Sequence, residues 1–331
     1  MNPSTIIPVI DFNDFDARKD VIAQEVFEAC KKFGLFYVIN HSVSPSQISQ
    51  GFELSKAFFE LPEEKKCEYS KVGKRLEGYV KLYGQKSDYR KQDKPDHKEL
   101  YDFMPFREDT NPSHLMPITF LEHKKDIETF SKDLHALALQ IFKLLSIELK
   151  LPTQKAKDGG EINDWLGQRH RYDKPNNPGI LRFQRYPSGD AATHKDEPQA
   201  GAHTDFGTIT LLFQKDVPGL ELKLVDTDEW IPVPIIENAC IVNIGGMLTL
   251  MSYGLLHSPF HRVVFTPEQE IKDRYSIGYF LQPESGIKIS NMPSPVIPKE
   301  QPICEDVPND ILGMTSDDYL EYRYRKSLVK D

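Results

Sequence analysis

The sequence is poor in cysteine, lacks any long apolar run and carries no excess of positive charge. Its four cysteines, Cys30, Cys67, Cys240 and Cys304, stand far apart and form no C-x-x-C pair. That spacing argues against a zinc ribbon or a dithiol redox motif. Reduced thiols, and with them a cytoplasmic setting, are the default expectation. No stretch approaches the roughly 18 apolar residues of a membrane span. The N-terminal MNPSTIIPVIDFNDF shows no basic segment leading into an apolar one, so no secretory signal is expected. Lysine plus arginine number 41 against 50 aspartate plus glutamate, a formal net charge of −9. Without surplus cations to displace counterions from phosphates, broad nucleic-acid binding is disfavoured, although a local basic pocket is not excluded. No protein partner is indicated.

What is present is a chain of 331 residues, 39% hydrophobic and 27% charged, long enough to bury a substantial core. The first segment reads as strand then helix. Ile6 to Ile10 is a short apolar run closed by Asp11, and Val21, Ile22, Val26, Ala29, Cys30 and Phe33 form a helical stripe over about 18–33. Gly34 stops that helix, and LFYVINH after it reads as a strand, with His41 in a turn or capping role. Ser44 before Pro45 is an N-cap followed by proline at the first helical position. The helix it opens carries Ile48, Phe52, Phe58 and Phe59, and Lys65–Lys66 beyond it reads as a solvated face. Residues 70–118 look irregular. A long helix is expected over Phe120–Lys150, where apolar residues recur at three- and four-residue steps. Thr153–Pro178 has no clear pattern.

From Ile180 the character changes to short strands between turn residues: ILRFQRY, TITLLF, LELKLV, EWIPV, CIVNIG, HRVVF and YSIGYFL. That succession predicts a sandwich, barrel or jelly roll. The early strands would join its edge, so the chain is expected to fold as one unit.

Three residues of this region suggest a metal. His203 and Asp205, in GAHTDFGTITLL, are two positions apart and on a strand would share a face. His261, in HSPFHRVVF, begins another strand-like run. Two imidazoles and one carboxylate are the set that holds non-haem Fe(II) on one face and leaves other positions open. His257 competes with His261, but Pro259 disturbs a regular ladder between them and the apolar run continues directly from His261. Beyond lies Arg274-Tyr275-Ser276, where Arg274 and Ser276 share a face. A guanidinium grips a carboxylate through two hydrogen bonds and a neighbouring hydroxyl adds a third. On ILRFQRYP, Arg182, Gln184 and Tyr186 alternate onto one face, and Gln184 and Tyr186 would supply further polar contacts to the same carboxylate. Phe206 and Phe280 are candidates for a substrate pocket.

Taken together, GAHTDFGTITLLFQKDVPGLEL, HSPFHRVVF and RYSIGYF resemble the Fe(II)/2-oxoglutarate-dependent oxygenases of the isopenicillin N synthase-like superfamily. IPVIDF, EACKKFGLFYVINHSV and KAFFELPEEKK resemble that family's N-terminal region. The resemblance implies a β-rich α+β fold: a double-stranded β-helix (jelly-roll) core with N-terminal helices and a long supporting helix. It implies one catalytic unit over 1–331, with an N-terminal region over 1–118 and an oxygenase core over 178–285. It implies His203, Asp205 and His261 as iron ligands, and Arg274 and Ser276, with Tyr186, as the anchor of 2-oxoglutarate. No catalytic side chain is implied beyond the metal ligands. The cofactor set is then Fe(II), 2-oxoglutarate as co-substrate and O₂. Two departures stand out: Gln184 where the family often has Asn, and Gly245-Gly246 where it commonly has Gly-Asp.

The expected activity is oxidation of a small organic molecule, by hydroxylation or desaturation, coupled to decarboxylation of 2-oxoglutarate to succinate and CO₂. One alternative is an oxidase of the same superfamily that uses Fe(II) and O₂ without 2-oxoglutarate. Another is a non-catalytic jelly-roll module that keeps a metal for binding or structure.

Overall fold

Two sheets enclose the interior in the computed structural model, which describes residues 6–71, 76–88, 92–106, 116–155, 161–162, 164–174, 179–190, 193, 197–299 and 311–327. The larger sheet has eight strands in the order β1 (Val9–Asp11), β2 (Leu35–Ile39), β12 (Cys240–Ile244), β9 (Ile209–Lys215), β14 (Arg274–Leu281), β7 (Ile180–Tyr186), β4 (Glu99–Phe103) and β3 (Gly78–Val80). The smaller has four: β11 (Trp230–Pro232), β10 (Leu220–Lys223), β13 (His261–Val263) and β8 (Ala200–His203). A separate pair, β5 (Gln154–Lys155) and β6 (Glu161–Ile162), belongs to neither. The helices are α1 (Lys19–Lys32), α2 (Pro45–Phe59), α3 (Glu63–Cys67), α4 (Ile118–Leu121), α5 (Lys124–Glu148), α6 (Gly246–Met251) and α7 (Ser316–Ser327). This is the β-rich α+β jelly roll expected from the sequence, with short strands after residue 180 and a long helix behind them.

Strand alternation divides β14 between two environments. Ile277, Tyr279 and Leu281 join the core shared with α1, α2 and α5. Arg274, Ser276, Gly278 and Phe280 face the opposite way, toward the smaller sheet. Between the sheets, Tyr37, Leu212 and Ile241 of the larger pack with Leu220, Leu222 and Val263 of the smaller. Local sequence sets the helix that braces β14 and β7. The Ser44 side chain accepts from the backbone N–H of Gln47, Gln47 returns the contact in a capping box, and Pro45 fills the first helical position.

The region expected to be irregular, 70–118, contains two strands of the larger sheet, β3 and β4. β4 reads ELYDF, and all five residues are buried, two of them acids. Those acids hide the strand in the sequence, and the structure accounts for them by pairing. Glu99 accepts from Lys66 Nζ at 2.6 Å, Tyr79 Oη at 2.6 Å and Arg185 Nη1 at 2.9 Å. Asp102 is gripped bidentately by Arg182, at 2.6 and 2.8 Å, and by Lys71 at 2.6 Å. Lys66 therefore corrects the solvated-face expectation: it is only 5% exposed, whereas its neighbour Lys65 is exposed and pairs with Glu68. His41 lies in the bend between β2 and α2, and its Nε2 also contacts the distant Asn238 carbonyl at 2.9 Å. Cys304 lies outside the described residues.

Breaking a buried ion pair leaves an uncompensated charge and costs about 3–5 kcal/mol. Lys66→Met is expected at the low end, about 3 kcal/mol, because Arg185 and Tyr79 still hold Glu99. Urea denaturation measures it, and an unchanged midpoint would contradict the role of this pair.

Candidate active site

The β8–β13 ladder sets His203 directly opposite His261. The two rings lie with centroids 4.3 Å apart. Each imidazole is fixed by its own backbone two residues back: His203 Nδ1 lies 2.7 Å from the Gly201 carbonyl, and His261 Nδ1 lies 3.1 Å from that of Pro259. A carbonyl only accepts, so Nδ1 carries the proton on both rings and both Nε2 atoms are left as lone-pair donors. The chain leaves β8 after His203, and Asp205 turns back so that its Oδ1 is 3.7 Å from His261 Nε2. One donor atom from each of the three residues lies within 4.8 Å of the others, a group that could hold one metal ion. His257, the competitor, stands outside this group.

The loop after Asp205 is pinned by close backbone approach. Gly246 N donates to the Asp205 carbonyl at 2.8 Å, and Gly245 N to that of Thr208 at 3.0 Å. A Cβ on Gly245 would fall 2.1 Å from the Gly207 carbonyl oxygen, and one on Gly207 2.4 Å from that of Leu281. Only glycine allows these contacts. Burial opposes ionisation of Asp205, but the two histidines and hydrogen bonds from Thr210 and Asn243 outweigh it and hold its carboxyl below the usual range. Burial, with His261 nearby, pushes His203 down to about 3. An ionised acid and a neutral imidazole are the protonation states that metal ligation requires.

On the larger sheet, along the face turned toward the smaller one, lies a second group. Arg274 pairs across the ladder with Tyr186, and Ser276 with Gln184. Arg274 is 1% exposed and is held by Gln214 Oε1, which accepts from Nη2 at 2.9 Å. Its Cζ lies 4.7 Å from the centroid of the Tyr186 ring. Its Nε and Nη1 meet no acceptor at hydrogen-bonding geometry. Burial lowers its pKa from the ordinary arginine value, against the influence of Tyr186, yet arginine keeps its proton in proteins. The result is a buried cation with two idle donors facing the same way as Ser276. Gln184 acts on Ser276 rather than at a distance, donating to Oγ at 3.3 Å and leaving the hydroxyl proton available to another acceptor.

Both candidate pocket phenylalanines carry an arginine over the ring: Arg323 over Phe206 at 4.4 Å and Arg182 over Phe280 at 4.9 Å. Sequence reasoning missed four residues here. Thr210 and Gln214 lie on β9 at steps of two along one face, a readable period-two signal. Asn243 is the lone polar residue in CIVNI, also a readable signal. Arg323 sits on a distant helix, and nothing in the sequence ties it to the site.

A family model for the N-terminal region of non-haem dioxygenases, described from morphine synthesis, matches residues 7–122. A model of the 2OG-Fe(II) oxygenase superfamily matches residues 178–283. The chain belongs to the 2OG-Fe(II) oxygenase superfamily. It is a non-haem dioxygenase of that family, which uses Fe(II), 2-oxoglutarate and O₂. The UPF0676 protein C1494.01 of Schizosaccharomyces pombe is 32% identical over 290 residues, covering 86% of this chain and 84% of that one. A 1-aminocyclopropane-1-carboxylate oxidase of Dictyostelium mucoroides is 30% identical over 317 residues, covering 84% and 82%. Among solved structures, a full-length Neurospora crassa protein in complex with alpha-KG and 5-formyluracil aligns with a TM-score of 0.78 and 27% identity, over 98% of this chain and 97% of that one. No helix among the described residues is long and apolar enough to cross a membrane.

His203 shares its depressed pKa with two histidines behind the oxygenase site. Burial takes His135 to about 4 and His170 to about 3. The unfolded chain binds these protons below about pH 6.5, while the fold refuses them. Stability is therefore full above about pH 6.5 and falls as the pH drops, by up to about 1.4 kcal/mol per pH unit for each histidine. Urea melts of the metal-free oxygenase at about pH 7.5 and about pH 5.5 are expected to show a clear loss at the lower value. Equal midpoints would contradict it.

Proposed function

We propose that His203, Asp205 and His261 hold the ferrous ion of this oxygenase, and that Arg274 and Ser276 anchor the far carboxylate of 2-oxoglutarate. The reaction is then hydroxylation or desaturation of a small organic substrate, with release of succinate and CO₂. One observation carries this reading: Arg274 is the largest fully buried side chain of the described residues and has two unused donors. An unpaired buried charge is costly, and a resident dicarboxylate removes the cost. The donor set fits the metal equally well, since both imidazoles present Nε2 and the carboxyl is ionised.

When bound, Fe(II) with 2-oxoglutarate and O₂ supplies an oxidant strong enough to attack an unactivated C–H bond. The chain's own residues do the rest. Gly201 and Pro259 fix the tautomers of the two histidines through their carbonyls. Thr210 and Asn243 keep Asp205 ionised and oriented. Gln214 steers the Arg274 fork, and Gln184 turns the Ser276 hydroxyl proton outward. Phe206 and Phe280 line the space for the substrate and exclude water from it. None of these groups is asked to be a general base. The N-terminal strands extend the same sheet at both edges, which supports one catalytic unit over 1–331 with an N-terminal region over 1–118 and an oxygenase core over 178–285.

The likeness to a 1-aminocyclopropane-1-carboxylate oxidase favours a second reading, an oxidase that uses the same iron site without 2-oxoglutarate. In that case the substrate's own carboxylate would occupy Arg274. Stoichiometric succinate during turnover supports the first reading, and turnover without succinate excludes it.

Asp205→Ala and His203→Ala are expected to abolish Fe(II) binding and succinate formation while leaving the circular dichroism spectrum unchanged. Full activity in either variant would remove the proposed centre. Arg274→Met keeps the volume but loses charge-assisted hydrogen bonds of about 1.5–3 kcal/mol, so the apparent affinity for 2-oxoglutarate should fall roughly 10- to 150-fold. Unchanged affinity would place the carboxylate elsewhere.

A further inference from the structure

We propose that Arg323, on α7, binds the substrate of this oxygenase, and that the substrate is a small monocarboxylate whose carboxylate it holds beside Phe206. The inference rests on the iron and 2-oxoglutarate reading above and names the substrate class for it.

The side chain of Arg323 is 5% exposed and lies against the loop that carries the proposed ligands. Its Nη1 donates to Tyr319 Oη at 2.9 Å and its Nη2 to Thr204 Oγ1 at 3.3 Å. Thr204 stands between His203 and Asp205, and Phe206, under the guanidinium, follows directly. The Nε of Arg323 is buried and has no acceptor. Hydroxyls and a ring face orient the group but do not neutralise it. The nearby position where a carboxylate would do so is Gly246, whose Cβ, if present, would lie 3.8 Å from Nη1. Glycine leaves that space without a charge.

The other buried cations show how unusual this is. Among the described residues, Lys66, Lys98, Arg274 and Arg323 are the buried cations. Lys66 is matched by Glu99 at 2.6 Å and Lys98 by Asp96 at 2.9 Å. Arg182, over the second phenylalanine, is matched by Asp102. Of the four, Arg274 and Arg323 alone have no carboxylate, and both belong to the oxygenase site. A buried charge is retained where something pairs with it.

The charges then select the ligand. A ferrous ion with Asp205 carries one net positive charge, and Arg274 adds a second. The 2-oxoglutarate dianion cancels both. Arg323 is left over, and one further negative charge balances it. A neutral substrate would leave the cation unmatched, and a dianion would overshoot. A carboxylate suits the planar fork and its remaining N–H groups.

The test is calorimetric and needs no turnover. Aryl and alicyclic monocarboxylates and their methyl esters are titrated anaerobically into the Fe(II) enzyme with saturating 2-oxoglutarate. The expected result is that acids bind at least roughly ten-fold more tightly than their esters, as loss of charge-assisted hydrogen bonds implies. Arg323→Gln, which keeps donors toward Tyr319 and Thr204, should erase the preference. Arg323→Lys, which keeps the charge, should retain part of it even if α7 is less firmly seated. Equal binding of acids and esters, an acid preference that survives Arg323→Gln, or acids that displace 2-oxoglutarate from Arg274 would each overturn the assignment. The 2-oxoglutarate titration reports separately on the co-substrate: an enzyme that fails to bind it, yet binds acids through Arg323, keeps this inference and loses the co-substrate reading.

Discussion

The register between β8 and β13 is the constraint on which the site depends. It sets His203 opposite His261, and a slip of one residue would turn one imidazole to the far side of the smaller sheet. β8 lies at the edge of that sheet, so the chain is free to leave the ladder just after His203. Asp205 uses that freedom to approach the same point. Glycines 207 and 245 then let the loop lie so close to its neighbours that the carboxylate has little room to wander. Pairing supplies two of the proposed ligands, and departure from pairing supplies the third.

Charge placement is the second organising theme. Away from the site, buried ions come in satisfied groups, as in Lys66 with Glu99 or Arg182 with Asp102. At the site, positive charge is left open: Arg274 is deep, braced by Gln214 and backed by the Tyr186 ring, yet lacks an anion. The same sheet face that bears Thr210 and Asn243 under Asp205 runs on through Ser276 to Arg274. A ligand that is metal-binding at one end and anionic at the other matches that layout.

Much of this is legible in the sequence because it obeys local periodicity. The strands after Ile180 alternate or run apolar, α2 announces itself by Ser44-Pro45, and R-x-S follows the two-residue step of a strand; the H-x-D pair is visible as a motif, but Asp205 lies beyond the end of β8 and reaches the site from the loop. What is not legible depends on pairing between distant segments. β4 looks irregular in sequence because Glu99 and Asp102 are acceptable in a buried strand only with Lys66, Arg185, Arg182 and Lys71 beside them. Lys66 looks solvated for the same reason. Gln184 reads as a contact to the co-substrate carboxylate, and its hydrogen bond to Ser276 is not visible in the sequence. Arg323 comes from a helix beyond the jelly roll, and no spacing rule links it to Phe206.

The most direct test of the centre is an anaerobic titration of the metal-free protein with Fe(II) and then 2-oxoglutarate, followed by visible absorption. One equivalent of Fe(II) should bind, and 2-oxoglutarate should then produce a weak charge-transfer band that is absent with either alone. Tight binding of iron with no band on adding 2-oxoglutarate would contradict a centre with vacant positions and a carboxylate anchor beside it.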